Sequence, residues 1–128
     1  MIQELKHGNL DVKLQICNEA FIDAIPKFEA DKEVSFTELQ SVGFSTFLFY
    51  FAYFSYKVYC NENGQIRKYN CAQFLKEINR EDVKESDSNI NEVVEALANS
   101  FIEKAKKKAT GQKESSAGNI STESLSES

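Results

Sequence analysis

The side chains that most often carry chemistry are few in this chain, and their spacing excludes more than it suggests. His7 is the single histidine. A general base needs a nucleophile within hydrogen-bond reach and a group to orient it. His7 sits in a polar stretch, Met1 to Gly8, that reads as a frayed terminus, so an exposed bystander is expected. The cysteines are Cys17, Cys60 and Cys71. Their number is odd, no CxxC occurs, and each stands among apolar residues. They read as reduced thiols serving as small hydrophobes in a reducing compartment. Zinc needs more ligands than the chain groups together. Glu81, Asp82 and Asp87 lie beside cationic residues in a polar connection, where solvated charge is the ordinary state. The five glycines are isolated, so no phosphate-cradling loop is present.

Two segments imitate the exit half of a calcium-binding EF-hand, Asp31 to Glu38 and Asn61 to Phe74. Calcium loops need oxygen ligands at positions 1, 3, 5 and 12, with glycine at 6. The first segment places Lys27 at position 1 and Lys32 at the glycine position; the second places Tyr59 at position 1. Neither lysine nor tyrosine replaces a carboxylate there, and both segments read as turns entering capped helices. No catalytic, cofactor-binding or metal-binding residue is assigned.

With 128 residues, 41% of them apolar and 27% charged, the chain has room for one globular domain. A net charge of −5 tilts against nucleic acid, whose phosphates need a positive face. The apolar run from Phe44 to Tyr56 is shorter than the 18–20 residues of a membrane span. The first residues lack the cationic start and apolar stretch of a secretory signal. A soluble cytoplasmic protein is expected.

The elements read as mainly α, with a minor β component. Leu10, Val12, Leu14 and Ile16 alternate with polar neighbours, the period of a half-buried strand. A mate is sought at Tyr56–Tyr59 or Gln65–Tyr69, or in another copy of the chain. Asn18 caps a short helix with Phe21, Ile22, Ile25 and Phe28 on one face, which Pro26 should kink or end near Ala24 or Ile25. Ser35 and Glu38 form a capping box that opens a helix toward Tyr59, with Gly43 as a point where it can divide in two. Asn61 to Gly64 is a turn. Asn70 and Gln73 form a second capping box before Phe74, Leu75 and Ile78. Ser88 or Asn89 caps a last helix through Val93, Leu97 and Phe101, and lysines 104–108 suit its negative end. Residues 109–128, rich in Ser and Glu, read as a disordered tail after a helical domain at 1–108.

The densest information lies between Phe44 and Tyr59, where nine of the chain's fifteen aromatics fall within sixteen residues. They point all round the helix, and a helix apolar on every side is surrounded by protein. Phe47, Phe51 and Phe54 are expected in the core. Because a small domain has few elements with which to surround anything, Phe44, Phe47, Phe51, Phe54, Tyr50 and Tyr53 are also candidates for a protein-interaction surface. With the unmated strand, they point to a homo-oligomer. Stacking of nucleic-acid bases is disfavoured, since the rings are consecutive and nearly free of interleaved charge.

The order of elements, with Phe49-Tyr-Phe-Ala-Tyr-Phe54 in the aromatic helix and Tyr69-Asn-Cys-Ala-Gln-Phe74-Leu-Lys-Glu-Ile78 after the turn, resembles the tail assembly chaperones of long-tailed bacteriophages and prophages. The resemblance covers about residues 10–108. Cys71-Ala-Gln73 departs from the acidic residues usual before the Phe-Leu pair. The resemblance implies an α-rich fold, no enzyme activity, no cofactor, and action in the host cytoplasm. It implies transient coating of the tape-measure protein, recruitment of tail-tube protein, and absence from the mature virion. Such chaperones also come in pairs made by ribosomal frameshifting, for which the lysines at 106–108 mark a candidate slippery run. The rival readings are a nucleic-acid-binding or regulatory protein of a mobile element and a small structural subunit of a particle.

Overall fold

The computed structural model describes residues 1–36 and 43–114, the last eleven of these by their backbone alone. The chain divides into two compact units, residues 1–98 and 99–128. Two strands form an antiparallel hairpin, β1 (Ile2–His7) and β2 (Leu10–Gln15). Four α-helices follow among the described residues: α1 (Asn18–Lys32), α2 (Phe44–Glu62), α3 (Cys71–Ile78) and α4 (Ile90–Glu114). The fold is mainly helical with an N-terminal hairpin. Glu38, the reaching half of the first capping box, lies outside the described residues, as does most of the expected tail at 115–128.

The strand at Leu10 finds its mate in neither expected place. It pairs with the segment read as frayed, in a register that sets His7 opposite Leu10 and Ile2 opposite Gln15. A two-residue turn at Gly8–Asn9 joins the strands, and Gly8 at its first central position has φ of 64°. That conformation suits glycine, and a Cβ there would also meet Val83 Cγ2 at 3.0 Å. Leu5 and His7 face inward with Leu10 and Leu14, while Glu4, Lys6, Asp11 and Lys13 face out.

Helix α1 opens one residue earlier than expected, with Cys17 and not Asn18 at the cap position, and Pro26 does not end it. The carbonyl that loses its partner to a proline lies four residues back. Here that residue is Ile22, 53% exposed and on the same open side of the helix as Pro26, and the helix continues to Lys32. The same exposure corrects the expected apolar face. Ala20, Phe21, Ala24 and Phe28 are buried, and Ile22 is not.

Gly43, at φ 93°, precedes α2 and sets its start. Ten of the nineteen α2 residues are buried, on several faces, because α1, β2 and α3 all pack against it. Toward α1, Phe47 and Phe51 meet Phe21 edge-on at centroid distances of 5.8 and 5.6 Å, and Phe28 meets Phe47 at 5.4 Å. Toward α3, Tyr53 and Tyr56 meet Phe74 at 5.5 and 5.6 Å. The Tyr56–Phe74 pair is stacked and the others are edge-to-face, and both geometries add to the burial of the rings themselves.

The end of α2 and the start of α3 follow the sequence closely. Gly64 takes the left-handed conformation after Asn63, and Gln65 N–H donates to the Cys60 carbonyl at 2.9 Å, the six-to-one bond of a Schellman cap. Asn70 and Gln73 satisfy each other's backbone N–H groups as a complete capping box. Phe74 and Ile78 then enter the core. In α4, Val93 and Leu97 are fully buried. The helix runs on to Glu114, past the expected end near residue 108. The added residues include Ala109, Gln112, Lys113 and Glu114, all good helix formers. Lysines 106–108 therefore lie within α4 and not at its negative end.

Candidate functional site

The six aromatics assigned to interaction divide by burial. Phe47 and Phe51 are fully buried, and Tyr50 and Tyr53 nearly so. Their area is spent within the chain. Phe54, expected in the core, is half-buried, with Lys57 Nζ 5.5 Å above its ring. Phe44 is 37% exposed. Of the six, only these two offer substantial area to a partner.

The hydroxyls of α2 explain how so many rings fit one helix. Tyr50 donates to Asp31 Oδ2 at 2.9 Å, and Lys27 pairs with the other oxygen of that carboxylate at 3.3 Å. Burial, then the bond and charge of Asp31, push the Tyr50 phenol well above its ordinary range. Tyr53 accepts from Arg67 at 3.1 Å. Tyr56 accepts the backbone N–H groups of Lys68 and Tyr69, at 2.6 and 3.2 Å, and burial raises its pKa despite them. Each ring is apolar along its body and tied at its tip, and Tyr53 and Tyr56 pin the connection at 67–69 onto the helix. Cys71 opens α3 close to Lys27 and Asp31, and burial pushes its thiol up, away from the reactive thiolate.

His7 is no bystander. It is 6% exposed, its Nε2 lies 2.8 Å from the Arg80 carbonyl, and its Nδ1 lies 2.6 Å from Ser88 Oγ. A carbonyl only accepts, so the neutral ring carries its hydrogen on Nε2, and Nδ1 accepts from Ser88. A serine on a histidine is also the contact of a nucleophile with its base. Here Ser88 Oγ additionally accepts from Ile90 N–H at 3.1 Å, which makes it a helix cap locked by an imidazole. Arg80, whose carbonyl receives the ring, is held by Asp82 in a two-pronged contact at 2.9 and 3.0 Å and by Glu77 at 3.3 Å. The bonds from Arg80 keep the Asp82 carboxyl below the usual carboxylate range. A shallow hollow of about 250 Å³ lies beside His7, Val83 and Ser88.

The same connection closes the outer edge of β1. A two-residue turn makes His7 and Leu10 a mutually bonded pair, so the backbone groups of Glu4 and Lys6 point away from β2. Asn89 takes them. Its N–H donates to the Lys6 carbonyl at 2.9 Å, its Oδ1 accepts from Lys6 N–H at 2.8 Å, and its Nδ2 donates to the Glu4 carbonyl at 2.8 Å. One asparagine thus imitates a strip of third strand. Gly8 N–H completes it on the Asp87 carbonyl at 3.1 Å.

The edge of β2 is different. Its outward groups belong to Asp11, Lys13 and Gln15, and among the described residues none has a backbone partner. Beside it lies a hollow of about 300 Å³ between Asp11, Val12 and Lys13 on one side and Tyr59 and Gln65 on the other. Ile66, on the rim of an adjoining hollow, is 90% exposed.

Sequence reasoning placed Asn89 at a helix cap and His7 in a frayed terminus, and it missed the strand contacts of the one, the burial of the other and this edge. The signal for the hairpin was available in Gly8-Asn9, a two-residue turn dipeptide between two alternating runs. Among the described residues, no three His, Cys, Asp or Glu side chains group closely enough to hold a metal ion, and no helix is long and apolar enough to cross a membrane. No family model, curated protein or solved structure matches the chain.

Proposed function

We propose that the chain is a non-catalytic chaperone of phage tail assembly, acting in the host cytoplasm to coat the tape-measure protein and recruit tail-tube subunits. One observation supports this reading above others. Hairpin strand, first helix, aromatic helix, capping-box helix and last helix follow one another in the order on which the resemblance rests. The surface agrees in kind: the hollows are shallow, and the accessible apolar side chains Phe44, Phe54 and Ile66 suit a protein client better than a small molecule.

The test is co-expression with a tape-measure protein encoded in the same genome. The expected result is a soluble tape-measure protein that elutes with this chain, and purified particles that lack the chain by mass spectrometry. A tape-measure protein that stays insoluble and unbound would overturn the reading. Retention of the chain in finished particles would make it a structural subunit instead.

A further inference from the structure

The two grounds on which sequence suggested self-association are both met inside one chain: β2 has its mate in β1, and α2 is packed on several faces by its own neighbours. The open edge of β2 is a separate ground. A two-stranded sheet is marginal on its own, and an unpaired edge is a template for another strand. Natural edges are commonly blunted by charge, and Asp11 and Lys13 are charges on this one. Their order decides what the edge tolerates.

The geometry points to a dimer in which the β2 edge pairs antiparallel with the same edge of a second copy, with Asp11 opposite the partner's Lys13. Because only Asp11, Lys13 and Gln15 present outward groups, a two-fold pairing has few registers. Sliding it one way sets Lys13 against the partner's Lys13; sliding it the other sets Asp11 against the partner's Asp11. Both place like charges directly opposite, which destabilises a sheet. The intermediate register puts Val12 on the two-fold axis and forms two opposite-charge pairs.

The outer face strengthens the choice. Within one chain Glu4 stands opposite Lys13, and Lys6 opposite Asp11. Joining two hairpins in this register continues each row across four strands. One row reads Glu4, Lys13, the partner's Asp11, the partner's Lys6, and the signs alternate throughout; its symmetry mate does the same. The hollow beside Asp11, Val12 and Lys13 is the space the second strand enters, and Ile66 lies at the rim of the hollow that adjoins it. The edge of β1 cannot serve, because Asn89 already occupies it. The proposal stands on the strand edge alone and survives a failure of the chaperone reading.

Sedimentation velocity of the full chain at tens of micromolar tests it, together with amide exchange. The wild type should be a dimer with slowed exchange at the amides of Asp11 and Lys13. Asp11→Lys should weaken association by about tenfold or more, since two attractive pairs become repulsive. Adding Lys13→Asp should bring the dimer back. That rescue cannot come from a repaired fold, because the double variant sets like charges against both Lys6 and Glu4 within each chain. A wild type that is monomeric throughout, a dimer indifferent to Asp11→Lys, or a double variant no better than the single one would each overturn the proposal.

Discussion

The aromatic helix α2 and the N-terminal hairpin both look, in sequence, like elements short of neighbours, and they are completed in opposite ways. Helix α2 is closed by mass: rings from α1, α3 and its own turns fill the space, and the tyrosine hydroxyls need only a tip contact each. The hairpin is closed by a few directed bonds from residues 80–89, in which one asparagine and one histidine occupy particular backbone groups. Completion by mass tolerates substitution of kind but not of volume. Completion by directed bonds tolerates changes of volume but not of a donor for an acceptor.

The largest expected effect tests the first half of that contrast. Phe51 is fully buried among Phe21 and Phe47. Phe51→Ala should cost about 3–5 kcal/mol, from lost transfer energy and the cavity left behind. Phe51→Leu should cost far less. Chemical denaturation of both variants measures the difference, and an unchanged midpoint for Phe51→Ala would mean that the helix is not closed by packing.

Asn89→Asp tests the other half. Asparagine and aspartate are similar in size and are equally good near a helix N-terminus. The carboxylate keeps the bond from Lys6 N–H but turns an oxygen toward the Glu4 carbonyl, where a donor is required. A loss of about 1–3 kcal/mol is expected, with faster amide exchange at the β1 edge. If Asn89→Asp were neutral or stabilising, capping and not strand mimicry would be the role of Asn89. Gly8→Ala should follow, at about 1–2 kcal/mol, from the left-handed backbone and the close approach of Val83.

The contrast also explains what the sequence made legible. Hydrophobic density is additive along the chain, so α2, its buried Phe47 and Phe51, and the Val93–Leu97 face of α4 were readable from spacing alone. Capping boxes are local, and the one at Asn70–Gln73 is present as expected. The hairpin was half-read, because His7 counts as polar in any alternation pattern until a carbonyl and a serine are brought to its two nitrogens from more than seventy residues away. The survival of α1 beyond Pro26 turned on which side of the helix faced water, which depends on what packs against it. The division of the six aromatics into core and surface depended on the same thing. Contacts between distant segments, and the bare edge they leave at Asp11 and Lys13, have no footprint in local spacing.

The smallest effect is read against pH, and it distinguishes a tyrosine tip that is merely covered from one that is tied. In the folded chain the Tyr50 phenol titrates above its ordinary value near 10, first through burial and then through the bond to and charge of Asp31. A group whose folded pKa is raised contributes stability that is complete below the unfolded value and is lost as pH rises beyond it. The thermal midpoint should therefore fall as pH is taken from about 9 to 11, the tyrosine range. The raised Cys71 thiol should begin that fall somewhat earlier. Tyr50→Phe removes the hydroxyl, so at neutral pH it loses about 1 kcal/mol with the hydrogen bond, leaving Asp31 to Lys27 and water. At alkaline pH the variant has no phenol to ionise, and its midpoint should fall less steeply. The gap between wild type and Tyr50→Phe should accordingly narrow above the tyrosine range, while Cys71→Ser should flatten only the earlier part of the curve. A gap that stays constant from neutral to alkaline pH would show that the hydroxyl titrates as it does in the unfolded chain, and that Asp31 does not hold it.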